Sequence, residues 1–133
     1  MEEEQDPLTE KIIGCAIEVH KQLGPGLLES TYQSAMSIEL AYASLRFECE
    51  KTFPVEYRGV KIGFYRPDLI VQNEVVVEVK CVANYDPVFT AQILTYLRVT
   101  GIKTGLLFNF NRPVLKDGIK RLVNEPLLST ISI

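Results

Sequence analysis

Hydrophobic positions in this chain follow helical spacing first and strand-like alternation afterwards. Asp6-Pro7 is a typical helix start, with Asp as the N-cap and Pro in the first turn. The helix that it opens ends at the breaker Gly24-Pro25-Gly26, and a second helix is predicted over about residues 27–45. The apolar positions that predict these helices are Ile12, Ile13, Ala16, Ile17 and Leu23 in the first and Leu28, Tyr32, Ala35, Met36, Ile38 and Leu40 in the second.

Strand patterns occupy the middle of the chain. Residues 47–57 alternate, Arg58-Gly59 predicts a tight turn, and residues 60–65, the run around Asp68 and residues 74–82 continue the pattern. We expect these strands to form a meander.

The remainder returns to helix and then to strand. Asp86-Pro87 starts a third helix that runs to about Thr100 and is closed by Gly101. A short apolar strand over residues 106–110 follows, and the alternation of Ile119, Arg121 and Val123 predicts an edge strand. Residues 124–133 have no strong period, so we expect a docked or frayed tail.

Length and composition indicate one globular domain. At 133 residues, 47% hydrophobic and 23% charged, residues 1–133 fit a single unit, with residues 1–6 as a flexible acidic start. No apolar run approaches the roughly 18 residues of a membrane span, and an acidic start is the opposite of a signal peptide's basic end. We expect a soluble, intracellular, cytoplasmic protein with no membrane partner.

The cysteine spacing does not support a disulfide framework or a zinc site, and the charge distribution leaves nucleic-acid binding open. Cys15, Cys49 and Cys81 are odd in number and lack CxxC spacing, which favours reduced thiols, with Cys81 on the face opposite Lys80. The net charge is −3, but the acids of residues 2–6 carry four negative charges, which leaves +1 for the rest. A basic groove for nucleic acid therefore has candidates in Arg46, Lys51, Arg58, Lys61, Arg66 and Lys103.

Two carboxylates and an amine fall on one predicted hairpin. If Leu69–Val71 pairs with Val75–Val77 across a three-residue loop, Val71 lies opposite Val75 and Asp68 lies opposite Glu78. Opposed residues share a face with their Cβ atoms about 5 Å apart, so one divalent cation could bridge both acids. Period-two alternation puts Lys80 on the same face. The alternative is an ordinary hairpin with a solvated charged face.

These residues resemble a nuclease motif. Pro67-Asp68 followed by Glu78-Val79-Lys80 resembles the PD-(D/E)xK motif, and residues 26–32, Gly-Leu-Leu-Glu-Ser-Thr-Tyr, resemble the signature of the GxxExxY proteins of that superfamily. Residues 92–96, Gln-Ile-Leu-Thr-Tyr, match the QxxxY element of its RecB-like branch. The resemblance implies a mixed α/β, restriction-endonuclease-like α-β-β-β-α-β core, with a central mixed sheet, flanking helices and an extra N-terminal helix.

The resemblance also implies a chemistry. Asp68, Glu78 and the carbonyl of Val79 would be ligands of Mg²⁺ or Mn²⁺, and Lys80 would orient or help to deprotonate the attacking water. Glu29 would be a third carboxylate, brought to the cation from an early helix. Its alternative role is to stabilise a helix N-terminus. His20 would be a further metal ligand, or else a partner of the end of its helix.

Three more residues are implicated by the same resemblance. Gln92 and Tyr96 are i and i+4 on the third helix and would face the site as nucleic-acid contacts, the amide reaching Lys80, a water or the phosphate. Tyr32 is a third candidate contact. For all three, packing against the sheet is the alternative.

The sequence thus predicts a nuclease that hydrolyses phosphodiester bonds with Mg²⁺ or Mn²⁺, with DNA as the expected nucleic acid. The competing interpretation is a non-catalytic nucleic-acid-binding or protein-interaction module that retains the fold. A hydrolase of small phosphate esters has no distinct support. Because the domain is small, a homodimer or a partner protein could supply additional affinity.

Overall fold

The computed structural model describes residues 6–124, which form three α-helices, seven strands and one 3₁₀ turn. The helices are α1 (Pro7–Leu23), α2 (Glu29–Tyr42) and α3 (Pro87–Thr100). The strands are β1 (Phe47–Cys49), β2 (Phe53–Tyr57), β3 (Val60–Tyr65), β4 (Leu69–Val71), β5 (Val75–Lys80), β6 (Thr104–Asn109) and β7 (Ile119–Val123), and the 3₁₀ turn is Leu115–Gly118. Residues 1–5 and 125–133, which include most of the predicted tail, lie outside this description.

Helix boundaries follow local capping chemistry. Asp6 caps α1 by accepting from the Leu8 backbone N–H at 3.2 Å, and Asp86 caps α3 by accepting from Val88 N–H at 2.9 Å. Gly101 ends α3 with a left-handed φ of 77°. These three boundaries confirm the predictions. The second helix is shorter than predicted at both ends, since Leu28 only caps it and the helix stops at Tyr42.

The central sheet has the order β1-β4-β5-β6-β7. Strands β5 and β6 run parallel, and the other neighbours are antiparallel. The predicted edge strand is confirmed as β7. The predicted meander is wrong, because β1 pairs with β4 while β2 and β3 form a separate two-stranded hairpin between them. Pairing of β1 with β4 is a long-range contact that alternation along the chain does not specify.

The sheet separates two apolar cores. One lies against α1 and α2 and takes its strand residues from Leu69, Val71, Val75, Val77 and Val79. The other lies under α3 and includes Ile70, Val76 and Leu107. Because successive strand residues point to opposite faces, Asp68, Glu78 and Lys80 belong to the α3 face.

Helix α2 buries a narrower face than its sequence predicts. Tyr32, Met36 and Leu40 are buried, whereas Leu28 and Ile38 are 73% and 58% exposed. In α1, Ile17 and Leu23 are likewise exposed at 42% and 39%. Across residues 6–124, no helix is long and apolar enough to cross a membrane.

The turn between β4 and β5 has the predicted register. Val71 pairs with Val75 and Leu69 pairs with Val77. Gln72 and Asn73 both have left-handed φ values, 54° and 55°, and Glu74 N–H donates to the Val71 carbonyl at 2.9 Å. Arg46 holds this turn, because its carbonyl accepts from Gln72 N–H and its own N–H donates to the Gln72 side chain. The turn end of the hairpin is therefore fixed.

The substitution Gly118→Ala tests the packing at the end of β6. A Cβ there would clash with the carbonyl oxygen of Asn109, which is backbone and cannot rotate away. Gly118→Ala should therefore lower the free energy of unfolding by about 1–3 kcal/mol. Gly63→Ala is the control, because a Cβ at Gly63 meets no atom of the described residues within 4 Å. Urea unfolding of both variants measures the difference, and equal stabilities would contradict this packing.

Candidate active site

Asp68 and Glu78 are joined by reciprocal hydrogen bonds. Glu78 Oε2 accepts from the Asp68 backbone N–H at 2.9 Å, and Asp68 Oδ2 accepts from the Val79 backbone N–H at 2.8 Å. The β4–β5 register places the two residues opposite each other, as predicted, on the face that also carries Lys80. We call these two residues the acid pair.

Burial makes the charges of the acid pair costly. Glu78 is only 3% exposed, and burial, followed by the nearby Asp68 carboxylate, raises its pKa from 4.5 to about 8. Burial also raises the pKa of Asp68, while the hydrogen bond from Val79 and the charge of Lys80 act in the opposite direction. Two adjacent carboxylates in this environment need a shared proton or a cation.

The acid pair fits a cation that prefers oxygen ligands. Among the described residues, Asp68 Oδ1 and Glu78 Oε1 have no hydrogen-bond partner, so each acid keeps one oxygen for a ligand. Because the N–H and C=O of a strand residue point to the same side, the Val79 carbonyl is directed toward the acid pair as well. These are hard oxygen donors of the kind that Mg²⁺ and Mn²⁺ select.

No group of three or more His, Cys, Asp or Glu side chains is arranged to hold a metal within residues 6–124. Glu29 and His20 therefore do not join Asp68 and Glu78 in one preformed cage. Magnesium commonly binds one or two carboxylates and keeps several waters or substrate oxygens. The acid pair corresponds to that open type of site.

Lys80 lies beside the acid pair but turns toward α3. Its ammonium nitrogen donates to Gln92 Oε1 at 3.3 Å and lies 4.7 Å from the centroid of the Phe89 ring. In the part of the chain that the structure describes, the single salt bridge joins Lys51 to Glu48. Within residues 6–124, Lys80 therefore has no carboxylate at ion-pair distance, and its charge is available to a ligand.

Gln92 and Tyr96 both reach the site from α3. Gln92 is exposed and contacts Lys80, as the sequence indicated, whereas Tyr96 is 9% exposed. Burial first, then the charges of Glu78 and Asp68, raises the pKa of Tyr96 to about 12. The phenol thus keeps its proton at neutral pH and remains a hydrogen-bond donor beside the acid pair.

Glu29 is the first residue of α2, exposed, and on the helix layer of the opposite sheet face. Its charge nevertheless raises the pKa values of Asp68 and Glu78, so it lies near the end of the sheet where the acid pair sits. The structure places it close to the pair, and its function as a third acid stays a prediction.

The loop before Glu29 is fastened by Tyr32. This side chain is fully buried, its hydroxyl donates to the Gly24 carbonyl and accepts from Leu27 N–H at 3.2 Å, and its ring stacks on Phe110 at 4.5 Å. Cys81 also donates to the Leu27 carbonyl, from the face opposite Lys80 as expected. Because the ring is fully buried, the described contacts favour the packing alternative for Tyr32, and its contact with nucleic acid stays a prediction.

His20 belongs to the α1 side of the sheet. It is 8% exposed, its Nε2 is bonded to the Arg112 carbonyl at 2.8 Å, and its ring stacks with Phe110 at 6.2 Å. A carbonyl partner requires Nε2 to donate, so this nitrogen cannot coordinate a metal at the same time. The described contacts favour the structural alternative for His20 over ligation.

The predicted basic residues are dispersed. Arg66 borders the site, in a depression that it shares with Tyr65 and Tyr96. Arg46 and Lys51 line a different depression, and Arg58 lies over Tyr57 at the tip of the hairpin. Lys103 precedes β6, whose first residue pairs with the start of β5, so it lies at the opposite end from Lys80. Sequence spacing alone could not reveal this separation.

Three residues near the acid pair escaped the sequence analysis. Glu50 donates its backbone N–H to the Asp68 carbonyl at 3.0 Å, and its charge raises the pKa of Asp68. Tyr65 and Phe89 line a cavity that also contains Lys80. Glu50 has a left-handed φ of 52° without being glycine, so no turn signal marked its position.

Glu78→Gln should stabilise the chain at alkaline pH in the absence of metal. The folded pKa of about 8 exceeds the unfolded 4.5, so wild-type stability falls as pH rises between these values and stays low above 8. Glutamine cannot ionise, hence the variant should melt about 4 °C or more above wild type at about pH 9 and show a much smaller difference at about pH 5. Thermal unfolding across this range measures the gap.

The control for that measurement is Glu74→Gln, an exposed glutamate in the loop of the same hairpin. Its melting temperature should follow that of wild type at every pH. If the difference in melting temperature between Glu78→Gln and wild type is the same at every pH, burial does not disfavour the ionised form of Glu78.

Comparison with known proteins agrees with this geometry. The family model of the PD-(D/E)XK nuclease superfamily matches residues 6–122, which is most of the chain. Searches of curated proteins and of solved structures gave no significant match. The five-stranded mixed sheet with helices on both faces is the restriction-endonuclease-like fold of that superfamily. With its acid pair and lysine on adjoining strands, this chain belongs to the PD-(D/E)XK nuclease superfamily.

Proposed function

We propose that this protein is a metal-dependent nuclease of the GxxExxY group in the RecB-like branch, which hydrolyses DNA phosphodiester bonds with Mg²⁺ or Mn²⁺. The observation that carries the proposal is the acid pair, in which Glu78 is buried and Asp68 half-buried, cross-bonded between adjacent strands with Lys80 on the same face. Withdrawing two opposed carboxylates from water costs stability, and a binding-only chain would gain by replacing one of them. A cation removes that cost.

Asp68, Glu78 and the Val79 carbonyl would hold the cation, and Glu29 would add an acid from the start of α2. When bound, the metal supplies Lewis-acid activation of water and of the phosphate. The protein's own contribution is to keep the two acids facing each other through backbone hydrogen bonds, which survive any change in side-chain protonation on the other oxygens.

The residues on the α3 side would act on water and phosphate. Lys80, as an ammonium, orients the attacking water, favours the loss of the water's proton to solvent and offsets charge that develops on the phosphate. Gln92 positions the Lys80 ammonium through their 3.3 Å hydrogen bond. Tyr96, held in its protonated form, donates to a phosphate oxygen. A homodimer or a partner protein would extend the nucleic-acid contact beyond this small domain.

Metal binding should stabilise the folded chain. Mn²⁺ or Mg²⁺ at about 100 times its Kd adds about 2.7 kcal/mol, because only the folded state assembles the ligands. Asp68→Asn should abolish the thermal shift, whereas Glu74→Gln, on the same hairpin but exposed, should retain it. Equal shifts in wild type and Asp68→Asn would place the ion elsewhere.

Lys80→Ala separates an enzyme from a binding module. Loss of a group that acts on transition-state charge should lower the cleavage rate on the order of 10²-fold or more, while the metal-dependent thermal shift persists. Lys103→Ala is the control, because this exposed lysine lies at the opposite end of the β5–β6 pair. Cleavage of single-stranded DNA, duplex DNA and RNA with Mn²⁺ is the assay.

Two results would contradict the proposal. If Lys80→Ala cleaves at the wild-type rate, the assigned role of the amine is wrong. If the wild type cleaves none of the three nucleic acids, yet binds one of them equally with and without metal, the protein is a binding module.

A further inference from the structure

An aromatic cavity opens beside Lys80, between α3 and the β2–β3 hairpin. It has a volume of about 440 Å³, and its aromatic walls are Tyr65 from the hairpin and Phe89 and Tyr96 from α3. Lys80 is also part of its lining, so the cavity adjoins the acid pair. Neither the nuclease motif nor the proposed catalytic roles use Tyr65 or Phe89.

The rings of the cavity are arranged to leave aromatic surface open. Tyr65 and Tyr96 meet edge to face, with centroids 5.6 Å apart, and Tyr65 and Phe89 are only partly buried. Gln92 and Thr95 add an amide and a hydroxyl to the same lining. An aromatic surface next to groups that both donate and accept hydrogen bonds suits a planar heteroaromatic ring with polar edges.

Cations and rings also alternate along the start of α3. Lys80 lies over Phe89 at 4.7 Å, Phe89 meets Tyr85 edge to face at 5.6 Å, and Lys120 lies over Tyr85 at 4.5 Å. Arg66 lies on the other side of Tyr65 and Tyr96. A polyanion whose repeating units carry flat rings complements such a surface, and this is the chemistry of a single nucleic-acid strand.

We propose that the cavity between Tyr65 and Phe89 binds one unstacked base of a single-stranded segment, next to the phosphate that the acid pair addresses. Bases inside a duplex stack on their neighbours and cannot present a face to these rings, so the substrate class is a single strand, a strand end or a flipped base. The position of the scissile phosphate rests on the nuclease proposal, whereas base binding in the cavity does not.

The test is binding of a fluorescent oligothymidylate of about 12 nucleotides to the full chain in EDTA, compared with its duplex. Wild type should prefer the single strand. Phe89→Leu and Tyr65→Leu keep apolar volume but remove a stacking surface, and each should weaken binding about 5- to 100-fold. Tyr57→Leu, 62% exposed at the hairpin tip, is the matched control and should bind like wild type.

A second measurement needs no variant of the protein. An oligonucleotide that carries 2-aminopurine should change its fluorescence on binding to wild type, because the base leaves the stack with its neighbouring bases and packs on an aromatic ring instead. Equal affinity for single strand and duplex, an unchanged 2-aminopurine signal on binding, or equal affinities of Phe89→Leu, Tyr65→Leu and Tyr57→Leu would each overturn the inference.

The outcomes also separate this inference from the nuclease proposal. A chain that cleaves DNA with Mn²⁺, while Phe89→Leu and Tyr65→Leu bind and cleave like Tyr57→Leu, retains the nuclease function and loses the base site. A chain that binds and changes the 2-aminopurine fluorescence as expected but cleaves nothing retains the base site and loses the nuclease function.

Discussion

The reciprocal backbone hydrogen bonds of Asp68 and Glu78 are the constraint on which the site depends. Each carboxylate is held by an N–H of the opposite strand, at 2.8 and 2.9 Å, and not by another side chain. The pair is therefore as rigid as the hairpin itself. A site built in this way keeps its ligands in position before any metal arrives, although both acids have raised pKa values in its absence.

The second constraint is the division of the molecule into two layers. Val79 belongs to the core under α1 and α2, whereas its neighbours Glu78 and Lys80 face α3. Gly105 sits beneath α3, where a Cβ would come within 2.9 Å of Ile93, so α3 packs closely on β6. This close packing is what brings Gln92 and Tyr96 to the edge of the acid pair.

Local chemistry predicted the hairpin and α3, because a three-residue loop and an Asp-Pro cap each determine structure within a few residues. The pairing of β1 with β4 and the exposure of Leu28 depend on distant contacts, so neither followed from periodicity. The sequence left two roles open for Tyr32, because a tyrosine that packs against a loop and one that contacts a ligand have the same helical spacing. The family match covers residues 6–122 and leaves the substrate to be established by experiment.

The length of the turn over residues 72–74 limits the insertions and deletions that the chain can tolerate there. Arg46 holds Gln72 on both its backbone and its side chain, and the loop length determines which residue of β4 meets which residue of β5. One codon inserted there would shift β4 by one position against β5 and turn Asp68 to the other face of the sheet. The tip at Arg58-Gly59 carries no such dependence, since among the strands of residues 6–124 β2 and β3 pair only with each other. Insertions and deletions among related chains should therefore be common at the Arg58-Gly59 tip and rare in the turn over residues 72–74.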